Sequence, residues 1–351
     1  MRMECLVAST IGTARYSCQR VVRRKPSSAG RPIRRMRAHP GVFAGLDVGG
    51  TYLKAARLEE SGRVLARLEE PIQRDSSDAL LGQLARAVKA LEVDGPVAGV
   101  GIGLPGIVDL GTGRLRSAPN LPIVNGLDLG AEIAMRTGRR TFPENDANAA
   151  ALAEAWLGAG RDAETVLLVT LGTGVGGGLV FHGRIWAGVS GYAGEIGHLQ
   201  VEPGGVSCGC GSWGCLETIA GIGGWVRRAR ELSAARTSSL TGHAELNPEV
   251  IVRDARAGDP VALDVVSGVA RALGAGIAAV LNLLDLERVV IGGGVARAGA
   301  FLLDRIVEET RRRTFPHVFE DASFRLAELG ADAGVVGAAR VGILGVRAAY
   351  A

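Results

Sequence analysis

Residues 195–218 read EIGHLQVEPGGVSCGCGSWGCLET, and in them His198, Cys208, Cys210 and Cys215 follow the pattern H-x9-C-x-C-x4-C. Three thiolates and one imidazole complete a tetrahedral shell for Zn²⁺ and leave no position for water. A metal closed off in this way is no Lewis acid, so the expectation is a structural Zn²⁺, with redox cysteines as the alternative. Glycines at 209, 211 and 214 suit the tight wrap of a C-x-C pair. The chain has 5 cysteines. Three of them crowd into this segment, which is not the layout of a secreted disulfide framework, and a reducing, cytoplasmic setting fits better.

If the metal is structural, the chemistry lies elsewhere. ENDANAAALAEAWLG (144–158) starts a helix whose N-cap is Asn145 or Asp146. Asp146 at that position has the helix dipole to keep it ionised, and a carboxylate is the group needed to take a hydroxyl proton in phosphoryl transfer. DVGGT (47–51) turns between two strands: Gly49 and Gly50 let backbone amides approach an anion, Thr51 adds a hydroxyl, and Asp47 is suited to hold water on a Mg²⁺ between phosphates. A plain hairpin also explains the Gly-Gly pair. LGTGVGGG (171–178) repeats the device with Gly172, Thr173 and Gly174, and IGGGVA (291–296) offers Gly292, Gly293 and Gly294 after a third strand. That last loop has neither G-x-G-x-x-G spacing nor a Walker lysine, and a base or ribose lying on bare glycine fits it. Three such loops together point to a nucleotide.

The elements that must carry these residues follow from hydrophobic period and turn residues. Strands are expected at 42–48, 52–59 and 63–70, then a helix at 77–92, a buried strand and an extended piece within 97–109, a helix at 127–136 and a strand at 139–143. The strand, glycine turn and strand of 165–188 echo 42–59, which predicts a second unit of related design. Helices at 216–232, 248–256 and 260–283, a strand at 288–292, a helix at 299–313, a strand at 324–328 and a helix at 333–347 complete it. No uninterrupted apolar run approaches the roughly 18 residues of a membrane span.

The net charge of +4 is misleading taken whole: residues 1–40 hold ten Arg/Lys against Glu4, leaving 30 basic and 35 acidic residues beyond them, a net of −5. The body therefore gives no reason to expect nucleic acid. The basic extension lacks the apolar core of a signal peptide; transit peptides and nucleic-acid-binding tails share its composition, and a disordered extension or an upstream start codon is the simpler reading. Forty residues rich in Arg, Pro and Ser leave no room for a helix-turn-helix domain.

LDVGGT, GIGLPGIVD, ENDANAAALAE, LGTGVGGG, GEIGH, CGCGSWGCLE and IGGGV occur in the order and spacing of the ROK family of repressors, open reading frames and sugar kinases, and the chain resembles that family from about 42 to 340. The resemblance is to its ATP-dependent glucose kinases in particular. It implies an α/β, actin-like ATPase (ribonuclease H-like) fold of two domains about a central cleft: 41–143, completed by a helix at 333–351, and 144–332 with the zinc loop. It implies ATP and Mg²⁺, with Lys54 among the ATP contacts, and Asp146 as the base for the sugar 6-hydroxyl. Asn120, Asn145, Glu195, His198 and Glu217 would hold the hexose, and the second ring nitrogen of His198 would face the sugar. Without the resemblance, both glutamates read as solvated charges. A homodimer or homotetramer is also implied. Where such kinases often read N-L-P-G-W, this chain has NLPIVNG (120–126), so N-acetylglucosamine, N-acetylmannosamine, mannose and fructose stay open beside glucose. A sugar-sensing regulator and a polyphosphate-dependent kinase are the further alternatives.

Overall fold

The computed structural model describes residues 41–109, 112–118 and 120–349; the basic extension of 1–40 lies outside them. β1 (Val42–Val48), β2 (Tyr52–Glu59) and β3 (Val64–Pro71) form an antiparallel meander. Helix α1 (Ser77–Leu91), capped by Ser76, crosses over to β4 (Gly99–Leu104), parallel to β1. A short hairpin, β5 (Ile107–Val108) and β6 (Leu115–Ser117), and α2 (Leu129–Thr137) precede β7 (Thr141–Asn145), parallel to β4. The first sheet thus has the order β3-β2-β1-β4-β7.

From β7 the chain passes without a loop into α3 (Asp146–Leu157), then into β8 (Thr165–Leu171), β9 (Val175–Phe181) and β10 (Arg184–Ile185). The zinc-type loop follows, then α4 (Glu217–Ala220), α5 (Ile222–Ala235), α6 (Pro248–Arg256) and α7 (Pro260–Leu284). β11 (Arg288–Gly292), α8 (Ala300–Arg311), α9 (Pro316–Asp321), β12 (Ser323–Leu326) and α10 (Ala333–Ala348) complete the chain. The second sheet runs β10-β9-β8-β11-β12, with the same alternation of two antiparallel and two parallel pairings as the first. The echo in the sequence is a repeat in topology.

Two expectations change. The helix expected over 216–232 is broken at Gly221, whose extended backbone (ψ 155°) separates α4 from α5. α9 was not expected; it starts on Pro316, a residue pre-organised for the first helical position. α7 is long and apolar enough to cross a membrane, with 25 residues and a mean hydropathy of 1.6. Asp264 and Arg271 interrupt its apolar run in sequence, and its Val261, Val265, Val269, Leu273, Ile277 and Leu281 are buried against α5, α6 and α8 in the largest core cluster. Its apolarity is used within the protein.

Helices α3 and α10 are the parts on which both sheets depend. A Cβ on Gly101 of β4 would stand 1.7 Å from Ala338 O, so α10 lies on the first sheet at van der Waals contact with its backbone. Gly337 of α10 meets Ala149 O of α3 as closely, at 1.8 Å from a would-be Cβ. On its other side α3 packs on β9, where a Cβ on Gly178 would stand 2.6 Å from Ala151 Cβ. Helix α3 is thereby wedged between the two sheets with little play. Its first residue is Asp146.

Candidate active site

β1, β4 and β7 run parallel, and in α/β sheets ligands gather beyond the carboxyl ends of such strands. Asp47 lies one residue from the end of β1, in register with Gly103 of β4 and opposite Lys54 of β2. Asn145 ends β7 opposite Leu104. Its side chain settles the question of the cap: Asn145 Oδ1 accepts the Asn148 N–H at 3.0 Å, and Nδ2 donates to Gly106 O at 3.1 Å. Asp146 is therefore not the cap. It is the first helical residue, with Oδ1 accepting its neighbour Ala147's N–H at 2.8 Å.

Glu144, which sequence reasoning missed, braces this junction by accepting the Asn145 N–H at 2.9 Å and Asn148 Nδ2 at 3.0 Å. Burial holds its carboxyl above the usual range, against those two hydrogen bonds. A glutamate next to the end of a strand carries no sequence signal for such a role.

The carboxylates converge. Burial raises the proton affinity of Asp146, with the amide of Ala147 opposing. The dipole argument expected the ion to be favoured; desolvation works the other way and makes a stronger base. Asp47 is pushed up to about 6, first by burial and then by the charge of Asp146, with Lys54 opposing. Burial also raises Glu195, with His198 opposing and Asp146 and Glu217 adding to the rise. Residues from β1, α3, the zinc-type loop and α4 thus share one electrostatic environment. Asn120 is exposed on the turn after β6 and has no side-chain hydrogen bond among the described residues, so geometry alone does not join it to them.

The four metal-type ligands also come together. His198 Nδ1 lies 3.6 Å from Cys208 Sγ, and Cys210 Sγ lies 3.7 Å from Cys215 Sγ. With Zn–S of about 2.3 Å and Zn–N of about 2.0 Å, a tetrahedron has edges of about 3.8 Å (S to S) and about 3.5 Å (N to S). The donor set and both edges fit Zn²⁺, and all four ligand atoms lie within 4.8 Å of one another. With Nδ1 turned to the thiols, Nε2 is left facing Glu195, 3.9 Å from its Oε2. Gly211 and Gly214 adopt left-handed φ (91° and 66°). Gly209 does not, and has open space where a Cβ would go, so the wrap needs two of the three glycines. A Gln200–Cys215 β-bridge and a Leu216 N–H to Leu199 O bond of 2.9 Å also tie the loop's ends. The ion would share its fastening role with the backbone.

At the first glycine hairpin, the Gly49 N–H donates to Tyr52 O at 3.0 Å, and Gly50 and Thr51 form an exposed tip. Gly50 has an ordinary φ and only the end of one flexible side chain near its missing Cβ; Gly172, in the second hairpin, has nothing within 4 Å. Neither is glycine for the sake of the fold, so the bare face of each is available to a ligand. Thr173 is exposed between Gly172 and Gly174. In the third loop Gly293 is required by the backbone: its φ is 82°, and a Cβ would stand 2.3 Å from Leu171 O. Gly292 ends β11 beside Thr170, and Gly294 opens a 3₁₀ turn to Ala298.

Two contacts cross from the sugar-type to the phosphate-type residues, neither anticipated. Glu217 Oε2 accepts the Val175 N–H at 3.0 Å, and a Cβ on Gly174 would stand 2.2 Å from that oxygen. The Ile222 N–H donates to Gly172 O at 3.0 Å, so α5 begins against the second hairpin with its positive dipole end toward it. The break at Gly221 makes both possible: a Cβ there would stand 2.9 Å from Thr173 O.

Known proteins resemble this chain over most of its length. The chain is 40% identical over 307 residues to the glucokinase of Halalkalibacterium halodurans, covering 84% of this chain and 93% of that protein. Its fold matches a ROK hexokinase from Thermus thermophilus at a TM-score of 0.78 and 36% identity, covering 88% and 99% of the two chains. It matches a ROK family glucokinase from Streptomyces griseus, in complex with glucose and AMPPNP, at 0.71 and 34%, covering 87% and 100%. The model of the ROK family matches residues 43–342, and the chain belongs to that family.

Proposed function

We propose that this protein transfers the γ-phosphoryl group of ATP to the 6-hydroxyl of a hexose, with glucose as the sugar. The observation that carries the reading is Asp146: relieved of capping by Asn145, held by a wedged helix and raised in proton affinity, it is placed to accept a proton. As the sugar O6 forms its bond to the γ-phosphorus, its proton passes to an Asp146 oxygen and the bond to the β-phosphate oxygen breaks, releasing ADP.

Glu195, Glu217, His198 Nε2, Asn145 and Asn120 orient the sugar hydroxyls in this reading. Gly49, Gly50, Thr51 and Lys54 on one side, and Gly172, Thr173 and Gly174 on the other, hold the phosphates. Asp47, buried and raised to about 6, is the carboxylate a divalent cation would relieve, and Mg²⁺ there would neutralise charge between phosphates. The base would reach from Gly292–Gly294 toward a pocket of about 290 Å³ lined by Pro248, Val252, Val295 and the arginines 253, 256 and 297. His198, Cys208, Cys210 and Cys215 would hold a structural Zn²⁺, which with the backbone bridge would help to fix the position of Glu195 and Glu217. The two sheets act as domains, 41–143 with the last helix and 144–332, that close on substrate. We further assign the enzyme to the cytoplasm as a homodimer or homotetramer.

A coupled ADP-release assay over glucose, mannose, fructose, N-acetylglucosamine and N-acetylmannosamine tests the reading. Glucose should give the highest kcat/KM. Another sugar ranking well above it would change the substrate, and sugar binding without turnover would make the protein a sensor.

A further inference from the structure

Gln83, on α1, is a polar side chain only 1% exposed. Its Nε2 donates to Pro71 O at 2.8 Å, and its Oε1 accepts the Gln73 N–H at 2.8 Å. Between these, the Ile72 N–H donates to Thr51 O at 3.0 Å. Residues 71–73 are thus tied to α1 on one side and to the first glycine hairpin on the other. A buried amide with both ends bonded fixes a segment more firmly than an exposed turn would be fixed.

Arg74 is the next residue. Its Nη2 comes within 3.5 Å of the position a Cβ on Gly50 would occupy, so the guanidinium lies at the bare face of the hairpin tip. Arg74 is exposed, and among the described residues it has no hydrogen bond or ion pair. The acid one turn on, Asp78, is engaged by Arg136 at 2.8 Å. The surrounding site is acidic: Asp47, Asp146, Glu195 and Glu217 are matched on the first sheet by Lys54, which faces both Asp47 and Asp332. A triphosphate entering there needs more positive charge than one engaged lysine supplies, and an unpaired planar guanidinium matches phosphate oxygens in pairs.

We propose that Arg74 is a phosphate-binding residue that closes on the terminal phosphates of the nucleotide over Gly50. It would donate to the γ-phosphoryl oxygens as the bond to the β-phosphate breaks, and it changes neither the bonds made nor the destination of the proton. This rests on the ATP reading of the hairpin.

The test is Arg74→Ala, Arg74→Gln and Arg74→Lys in the full chain, assayed with ATP and glucose, alongside titrations with AMPPNP and AMP. Arg74→Ala should lower kcat/KM for ATP about 100-fold and weaken AMPPNP binding. The KM for sugar and the affinity for AMP, which lacks the terminal phosphates, should stay as in the wild type. Arg74→Lys should recover part of the loss, and Arg74→Gln little of it. Unchanged kcat/KM for ATP in Arg74→Ala would overturn the proposal, as would AMP binding that falls in step with AMPPNP, the mark of a merely structural residue. Absence of ATP-dependent turnover in the wild type would instead overturn the reading of the hairpin on which it rests.

Discussion

The two sheets share a strand order and differ in what stands at equivalent places. The next-to-last residue of β1 is Asp47, opposite Lys54; its counterpart in β8 is Thr170, opposite Gly176. The outermost parallel strand of the first sheet leads into Asp146. That of the second leads into residues 328 and 329, whose amides donate to the fully buried Glu154 at 3.2 and 2.9 Å. Between third and fourth positions in sheet order of connection, the first unit inserts one helix, α1, while the second inserts the zinc-type loop and four helices. The first sheet places Asp47 and Asp146 at or just beyond its strand ends, whereas the second offers bare backbone at its hairpin and brings Glu195, Glu217 and the zinc-type ligands in a large insert. Topology decides where a ligand lies, and the few residues at strand ends decide what each half contributes.

The comparison can be broken in several places. Asp146→Asn removes the proton acceptor and should lower kcat by about 10³-fold or more, while calorimetry shows glucose binding kept; retained turnover would mean that the junction after the first sheet's outer strand does not supply the base. Asp47→Asn should lower kcat/KM for ATP about 100-fold, whereas Thr170→Ala at the equivalent position should cost less than about tenfold. Equal losses would erase the division of labour. Cys210→Ala should lose bound zinc by metal analysis and raise the sugar KM about 10- to 100-fold, with a smaller change in the KM for ATP. A normal sugar KM in the zinc-free protein would leave the loop's backbone bridge as sufficient anchor.

The smallest effects are those of pH. Asp146 must be unprotonated to act, so kcat/KM should fall on acidification with an apparent pKa above the ordinary carboxylate value of 3.8. Stability should move the opposite way on account of Asp47. Its folded pKa of about 6 exceeds the ordinary 3.8, so its contribution is fully present at lower pH and is lost as pH rises through about 6. Thermal melts of Asp47→Asn without nucleotide should therefore show a gain in Tm at pH 8 and none at pH 4.

The strands at 42–48 and 52–59 were readable to the residue because Gly49 and Gly50 mark the turn between them and Ser61 and Gly62 the turn after. That His198, Cys208, Cys210 and Cys215 come together was readable because donor type and spacing suffice to suggest a closed shell. Asn145 and Asp146 were not separable, since both residue types cap helices equally well and only the hydrogen bond to Asn148 distinguishes them. Gly221 sits inside an amphipathic pattern, and its reason is tertiary: Thr173 O on a distant hairpin leaves no room for a side chain. Glu217 and Val175 are 42 residues apart, beyond any local period. For Asp146 the helix dipole is visible in sequence, whereas the opposing desolvation that raises its proton affinity is not.

Helix α10 covers the first sheet at Gly45 and Gly101, backbone against backbone, although the whole second sheet lies between β1 and α10 in the chain. During translation the first sheet must wait with this face uncovered until α10 leaves the ribosome. The second sheet, from β8 to β12, is made before α10. Completion of the half that carries Asp47 is therefore delayed, and the nascent chain is open to chaperones and aggregation on that face.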